Sequence, residues 1–275
     1  MSLIKKAHLV LLLLLSYSAT TFANSAIRLS TIEYPPLFQS EKIPGKGYGV
    51  ASDLTEAAFK AAGVTIEFDY IPMIRSVESV VTERHPANLG SINWFIKDKA
   101  DDLVEVVNLF NIHFMLFYKK STFKKDIAYQ ALSELQIYNI GNVRGSSTTP
   151  VVTDAGLNIQ WVSKLELNFR MLNADRIDFA IGGETAGWAL IGKLFPDSVN
   201  KFTTVKKPIL TVPIGLVFHK NQTGLIEKFN QGLDTILANG TYYEILERYY
   251  SKAQIAENLL TDNIANKAKA LGVKY

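Results

Sequence analysis

The stretch "GNVRGSSTTP" (141–150) combines residue types that can hold an anion. Arg144 precedes Gly145, and the hydroxyl residues Ser146 and Ser147 follow directly. Arginine offers a carboxylate or phosphate two parallel hydrogen bonds from a full charge, and a helix N-terminus adds a partial positive charge. A capped turn between a strand and a helix explains the same residues without a ligand. Our hypothesis is that Arg144, Gly145, Ser146 and Ser147 bind an anionic group of a ligand.

Glu184 is a candidate contact of the opposite charge. It follows "AIGG", whose two glycines let a backbone approach a ligand closely at the carboxyl end of a strand. Ligands of open α/β sheets bind at that edge. The alternative explanation is a glutamate that the dipole of the following helix favours.

Three further candidates come from the first half of the chain. Arg75, in "PMIRS", opens a helix after a strand, where it either faces a ligand or stabilises its own lobe. Tyr34 and Trp94 provide aromatic walls that suit a cationic or ring-bearing ligand. Ordinary packing of large rings is the alternative for both.

Motifs of the common hydrolases and nucleotide-binding enzymes are missing from the sequence. The histidines after the first 25 residues, His85, His113 and His219, are widely spaced and form no HExxH motif, which argues against a zinc hydrolase. "RGSST" is not the Gly-x-Ser-x-Gly elbow of an α/β-hydrolase, and "GNVRGSST" lacks the lysine of a phosphate-binding loop. We therefore expect no metal and no cofactor.

The N-terminus predicts export. Lys5 and Lys6 precede the apolar run 9–15, and "SATTFA" supplies small residues before a cut after Ala23. The run is shorter than the roughly 20 residues of a membrane-spanning helix. Residues 1–23 are thus predicted to be a cleavable signal peptide, and the mature protein is predicted to be periplasmic.

Charge and cysteine content narrow the function classes further. The formal net charge is +3, and two of these charges belong to the predicted signal peptide, so the mature chain is close to neutral. A nucleic-acid surface would need clustered basic excess, and none is seen. The chain has no cysteine, which excludes disulfides and a lipid attached through an N-terminal cysteine.

Apolar strand-like segments alternate with helical periodicity, which favours parallel sheets with helices on both faces. Strands are predicted at 26–32, 66–71, 89–92, 114–118, 137–143, 159–162 and 177–181, with apolar segments at 201–206 and 211–219. Helices are predicted at 51–62, 73–84, 150–155, 164–174, 184–194 and 223–240, the third of them capped by Thr149.

Composition shifts at 118–125 and around 208–213 predict two lobes. Lobe I is predicted to comprise 24–117 plus 215–250, and lobe II to be inserted as 124–209, with the ligand cleft between them. A helical tail is predicted at 251–275.

The order of several motifs resembles a known family. "EYPPL", "GYGVASDLTEAAFKAAGV", "PMIRSVESVV", "VRGSS", "MLNADRIDFAIGGE" and "LDTILANGTYYEILERYY" follow one another along nearly the whole mature chain. Each is weak alone, but together they resemble the extracellular solute-binding protein family 3, the type II periplasmic proteins that capture polar amino acids and similar solutes for ABC importers.

The resemblance implies an α/β fold of two Rossmann-like lobes, joined by two crossover strands and closing over a ligand without catalysis. Tyr34 matches an aromatic that often stacks on the ligand. Gly145 and Ser146 match the turn that often holds an α-carboxylate, and Glu184 lies where an α-ammonium is commonly received. Asp53 matches an acidic residue that is usually structural.

The sequence departs from the family pattern after the third strand. Amino-acid binders usually carry Gly-x-Ser/Thr-x-Thr-x-x-Arg there, and the arginine grips the ligand carboxylate. This chain reads "GSINWFIKDKADD", with Trp94 at the hydroxyl position and Lys97 as the nearest basic residue. Lysine cannot reproduce the planar fork of arginine, so the usual grip on an α-amino acid is not expected.

The partners that the resemblance implies are a small-molecule solute and an inner-membrane ABC permease, and we expect a monomer. Two alternatives stay open. Some periplasmic members are dehydratases acting on cyclohexadienyl compounds such as arogenate, for which Glu184 would be the acid. Others report to a chemoreceptor or sensor kinase instead of a transporter.

Overall fold

The computed structural model describes residues 26–97, 100–255 and 259–273. The predicted signal peptide therefore lies outside the described residues. Within the described ranges, we find no helix with the length and apolar character that crossing a membrane requires.

Strands and helices alternate along the chain, as predicted. The strands are β1 (Ile27–Thr31), β2 (Ile66–Tyr70), β3 (Ala87–Gly90), β4 (Val104–Lys119), β5 (Ile140–Val143), β6 (Ile159–Val162), β7 (Phe179–Gly183), β8 (Phe202–Thr204) and β9 (Leu210–His219). The α-helices are α1 (Val50–Ala61), α2 (Met73–Val81), α3 (Asn93–Lys97), α4 (Thr149–Asp154), α5 (Leu165–Asn173), α6 (Glu184–Leu194), α7 (Thr223–Ala238), α8 (Thr241–Glu247), α9 (Lys252–Gln254) and α10 (Asp262–Ala270). Short 3₁₀ helices lie at Asp101–Leu103, Leu132–Leu135 and Pro196–Lys201.

The strands form one mixed sheet in the order β2, β1, β3, β9, β4, β7, β5, β6, with β8 paired to β4 outside that path. β1 is parallel to β2 and β3, and we call these three the first strand group. β5 is parallel to β6 and β7, which form the second strand group. The predicted parallel sheets are thus confirmed within each group.

Two antiparallel strands join the groups. β4 pairs with β9 from Val104↔His219 to Phe114↔Leu210, and its last residues pair with β7 and β8. β9 in turn pairs with β3 of the first group. The passage between the groups therefore lies within β4 and β9, and the predicted lobe limits remain predictions.

β4 is the largest departure from the predicted elements. The sequence predicts a strand only at 114–118, but the structure has a strand of 16 residues. Asn108, Asn111 and His113 interrupt the apolar pattern of its first part and conceal it. By contrast, the prediction of a strand at 159–162 and of a helix at 184–194 is confirmed at both ends.

The largest apolar cluster extends through both strand groups. It contains Leu29 from β1 and Phe179 from β7, and Phe110 and Phe114 of β4 connect them. Each of these side chains is buried. Buried apolar area is the main stabilising contribution to folding, so the shared cluster ties the two groups together.

Asp53 makes contacts that stabilise the fold, as the resemblance to the family implies. Its Oδ1 accepts a hydrogen bond from the Tyr48 backbone N–H at 2.9 Å, and its Oδ2 accepts one from the Tyr249 hydroxyl at 2.8 Å. The carboxylate therefore fastens the loop before α1 to the chain that follows α8.

We predict that Gly232→Ala lowers the free energy of unfolding by about 1–3 kcal/mol, measured by urea denaturation. A Cβ at Gly232 on α7 would lie 1.8 Å from the backbone oxygen of Ala58 on α1, so the two helices would have to separate. Gly224→Ala on the same helix is the control, because nothing lies within 4 Å of a Cβ there. The control is expected to raise stability by about 0.5–1 kcal/mol through helix propensity. Equal effects of the two changes would contradict the close packing of α1 and α7.

Candidate functional site

The predicted contact residues follow the carboxyl ends of parallel strands. In the first strand group, Tyr34 follows β1, Arg75 follows β2 and Trp94 follows β3. Because β1 is parallel to both neighbours, these ends share one edge of the sheet. In the second group, Arg144 follows β5 and Glu184 follows its parallel neighbour β7.

A narrow cleft lies between the strand groups. It is lined by Tyr34, Leu37, 111–113, 183–186, Tyr250 and Leu259. The space along these residues, including the part open to solvent, is about 300 Å³. Between the walls there is room for about one water molecule, so the cleft is narrow.

Tyr34 connects the first strand group to the second. The turn "EYPPLF" holds it, since the Tyr34 N–H donates to the Phe38 carbonyl at 2.8 Å and the Phe38 N–H donates back at 3.1 Å. The phenol hydrogen-bonds with the backbone of Gly183, at the end of β7. Burial raises the pKa of Tyr34 to about 12, against the opposing effect of that hydrogen bond. Tyr34 is therefore a neutral phenol at physiological pH.

Glu184 lies on the facing wall as the first residue of α6, and its side chain is partly buried. Tyr250 stands close to it, and burial raises the pKa of Tyr250 to about 12, with the charge of Glu184 adding to the rise. A carboxylate bordered by neutral phenols suits an ammonium or another hydrogen-bond donor of a ligand.

The hydroxyl of Tyr250 is the most informative polar group of the cleft. Tyr250 is 7% exposed, and its Oη lies beside Thr185 without a well-aligned hydrogen bond among the described residues. Buried polar atoms almost always have a partner, and an exception calls for an explanation. A ligand group in the cleft would supply one.

The 144–148 turn is built around the buried side chain of Asn142. Its Oδ1 accepts hydrogen bonds from the hydroxyls of Ser146 at 3.2 Å and Thr148 at 3.0 Å. Gly145 has φ +75°, which favours glycine over other residues. Arg144 is exposed and Ser147 is partly buried. Hydrogen bonds to Asn142 hold Ser146 and Thr148 in place, whereas Arg144 faces solvent. Residues 144–148 do not line the narrow cleft.

The helix after this turn begins one residue earlier than predicted. α4 starts at Thr149, and Thr148 takes the cap position that the sequence assigns to Thr149. Thr148 makes no side-chain capping bond, because its hydroxyl donates to Asn142 instead. Pro150 stands in the first turn, as expected.

Arg75 and Trp94 do not line the narrow cleft. Arg75 is exposed on α2, whose position is fixed by Ser76, since the Ser76 hydroxyl donates to the Ser30 hydroxyl at 2.8 Å. The Trp94 ring packs on Gly90, where a Cβ would be 2.2 Å from a ring carbon. The side chain of Lys97 lies outside the described residues.

The structure thus brings Tyr34 and Glu184 together and adds residues that the sequence did not indicate. These are Leu37, Asn111, Ile112, His113, Gly183, Thr185, Ala186, Tyr250 and Leu259. Asn111 and His113 of β4 interrupt a long apolar segment, and this interruption is the sequence signal that could have indicated them. Both line the cleft, and both also hydrogen-bond within the protein, Asn111 with Leu260 and His113 with Thr211. Among the described residues, no cluster of three or more His, Cys, Asp or Glu residues has a geometry that would hold a metal ion.

Two groups of parallel strands, joined by two long antiparallel strands with a cleft between them, define the type II periplasmic binding protein architecture. The chain belongs to the bacterial extracellular solute-binding proteins, family 3, whose model matches residues 27–252. The predicted family and fold class are therefore confirmed. No curated protein matches the chain.

Solved structures with the same fold have diverse roles. A histidine kinase sensor domain with similarity to periplasmic binding proteins is 17% identical, with 86% of this chain and 98% of that chain covered and a TM-score of 0.66. An ancestral arginine-binding protein bound to arginine is 22% identical, with 82% and 98% covered and a TM-score of 0.61. An ancestral amino acid-binding protein, a precursor of cyclohexadienyl dehydratase, is 17% identical, with 82% and 95% covered and a TM-score of 0.61. At these identities the likeness establishes the fold alone.

We predict that Tyr250→Phe leaves the free energy of unfolding within about 0.5 kcal/mol of the unaltered protein, because it removes a buried hydroxyl that makes no well-aligned hydrogen bond among the described residues. Tyr242→Phe is the matched comparison, since that buried hydroxyl donates to the Leu109 carbonyl at 2.6 Å. Its loss is expected to cost about 1–3 kcal/mol in the same denaturation experiment. A Tyr250→Phe cost as large as that of Tyr242→Phe would mean that the Tyr250 hydroxyl is satisfied within the protein.

Proposed function

We propose that this protein captures a small polar or anionic, amino-acid-like solute in the cleft between its strand groups and delivers it to an inner-membrane ABC permease. It acts as a periplasmic monomer and performs no catalysis. The observation that carries the proposal is the narrow cleft in which the buried hydroxyl of Tyr250, close to Glu184 and Thr185, makes no well-aligned hydrogen bond among the described residues. Membership of the solute-binding family supports it.

The cleft and the 144–148 turn offer two poles to a ligand. Glu184 provides a carboxylate, and the neutral phenol of Tyr34 provides a hydrogen-bonding group next to it. Arg144 provides a cation at the carboxyl end of β5, the strand adjacent to β7. A solute with a positive and a negative group, or a polar group and a negative one, matches this arrangement.

The anionic group of the solute is held by Arg144 and not by the first strand group. The segment after β3 has no arginine, and Trp94 there packs on Gly90. Arg75, like Arg144, is exposed and does not line the narrow cleft, but it lies within α2 and not in a glycine-containing turn. The 144–148 turn combines arginine, glycine and hydroxyls pre-positioned by Asn142, which lowers the cost of ordering them around a ligand.

A dehydratase is the second candidate, favoured by the same carboxylate. Glu184 beside two neutral phenols is the residue that would act as the acid on a cyclohexadienyl compound. Incubation with such compounds, followed by chromatography, separates the candidates. Our proposal expects binding without product, and turnover that Glu184→Gln abolishes would replace it with the enzymatic function. A sensory role would instead be indicated by a receptor gene next to this gene in place of permease and ATPase genes.

We predict that Arg144→Ala weakens solute binding by about 30-fold or more in calorimetry, with a solute first identified by a thermal-shift screen of amino acids, polyamines, dicarboxylates and peptides. Removing one partner of a desolvated charge pair typically costs about 2–5 kcal/mol, and each 1.4 kcal/mol is about tenfold. Arg144→Lys is expected to recover part of the loss, because the fork geometry is absent.

Arg170→Ala is the control for this prediction. Arg170 is an exposed arginine of α5 that pairs with Glu166 at 2.7 Å, so its loss changes the net charge equally without touching the turn. It is expected to leave affinity within about twofold, as is usual for surface charge changes remote from a site. If folded Arg144→Ala binds within threefold of the unaltered protein, the 144–148 turn is structural only.

A further inference from the structure

The C-terminal tail packs into the molecule although it lies beyond the family match. The family model ends at residue 252, and the described tail continues to residue 273. Ile255, Leu259 and Ile264 are each less than 5% exposed and join the largest apolar cluster. The tail is therefore part of the folded core.

Two polar contacts fix the tail, one just before α10 and one within it. The Asn111 side-chain amide on β4 donates to the Leu260 carbonyl at 3.3 Å, and the Lys267 ammonium contacts the Asp234 carboxylate of α7 at 2.6 Å. Thr261 begins α10 by accepting a hydrogen bond from the Ile264 N–H at 3.3 Å. These contacts hold Leu259 against the joining strand β4.

Leu259 is a wall of the cleft itself. It lines the same space as Tyr34, Glu184 and Tyr250 and is 4% exposed. The cleft is narrow along this wall, with room for about one water molecule between its sides. A longer solute would therefore have to displace Leu259 or prevent closure.

We propose that Leu259 limits the size of the solute that the cleft accepts, and that the packed tail holds Leu259 in this position. This inference rests on the proposed function. It assigns specificity to a residue outside the region that the family model matches. The rest of the cleft supplies polar recognition, and Leu259 supplies a steric limit.

Leu259→Ala tests the size limit with the full-length protein. Binding of a homologous series of unbranched solutes, built on the head group found by screening, is measured by calorimetry. The unaltered protein is expected to lose affinity beyond a certain length, and the variant to tolerate up to three more carbon atoms. For each additional methylene that it buries, the variant is expected to gain about fourfold in affinity relative to the unaltered protein.

Ile264→Ala is the matched control, because Ile264 is equally buried in the tail but does not line the cleft. It is expected to lower the melting temperature without changing the length preference. An unchanged length preference in Leu259→Ala overturns the proposal. Should that variant fail to fold, Leu259→Val keeps the test with a smaller shift in the same direction.

A scattering measurement separates this inference from the proposed function. Leu259→Trp is expected to hinder closure, so that saturating solute no longer reduces the radius of gyration as it does in the unaltered protein. Leu271→Trp, at a residue of the same tail that is 42% exposed, is expected to keep the full reduction. If no screened solute binds, the proposed function fails, and a Leu259→Trp protein that binds solute and contracts as much as the control overturns the cleft assignment.

Discussion

The antiparallel pairing of β4 with β9 is the constraint on which the rest of the structure depends. It runs from Val104↔His219 to Phe114↔Leu210 and joins two strand groups that otherwise have separate helices. Asn111, Ile112 and His113 of this pairing line the cleft. The cleft therefore borders the strands that connect the two groups.

The electrostatics of the cleft follow from burial. Tyr34 and Tyr250 remain neutral because burial raises the pKa of each to about 12, so neither phenol adds a charge beside Glu184. Charge interactions are stronger where water is excluded, and the narrow cleft favours that condition. The Tyr250 hydroxyl makes no well-aligned hydrogen bond among the described residues and can therefore bond to a ligand group.

Much of the fold could be predicted from the sequence, because local patterns specify its elements. The period of two in β6 and the amphipathic pattern of α7 are properties of short segments. The candidates Tyr34 and Glu184 could be found because each follows a recognisable strand, and parallel strands end at a common edge. The motif order likewise indicated the family that the model match establishes.

The remainder depends on contacts between distant parts of the chain. Tyr250 and Leu259 reach the cleft only when the C-terminal segment packs back, and the hydrogen bond from Asn111 to Leu260 joins residues 149 positions apart. No local pattern encodes such a pairing. The first half of β4 was hidden for a related reason, since Asn111 and His113 interrupt its apolar pattern and meet their partners, Leu260 and Thr211, only in the folded chain.

The central claim is that a solute binds between the two strand groups and draws them together. Small-angle scattering of the full mature protein, with and without the solute identified by screening, tests this claim most directly. Hinge closure of this architecture predicts a smaller radius of gyration at saturation, with one solute bound per chain. A radius that is unchanged at saturating solute, with binding verified by calorimetry on the same sample, would contradict it.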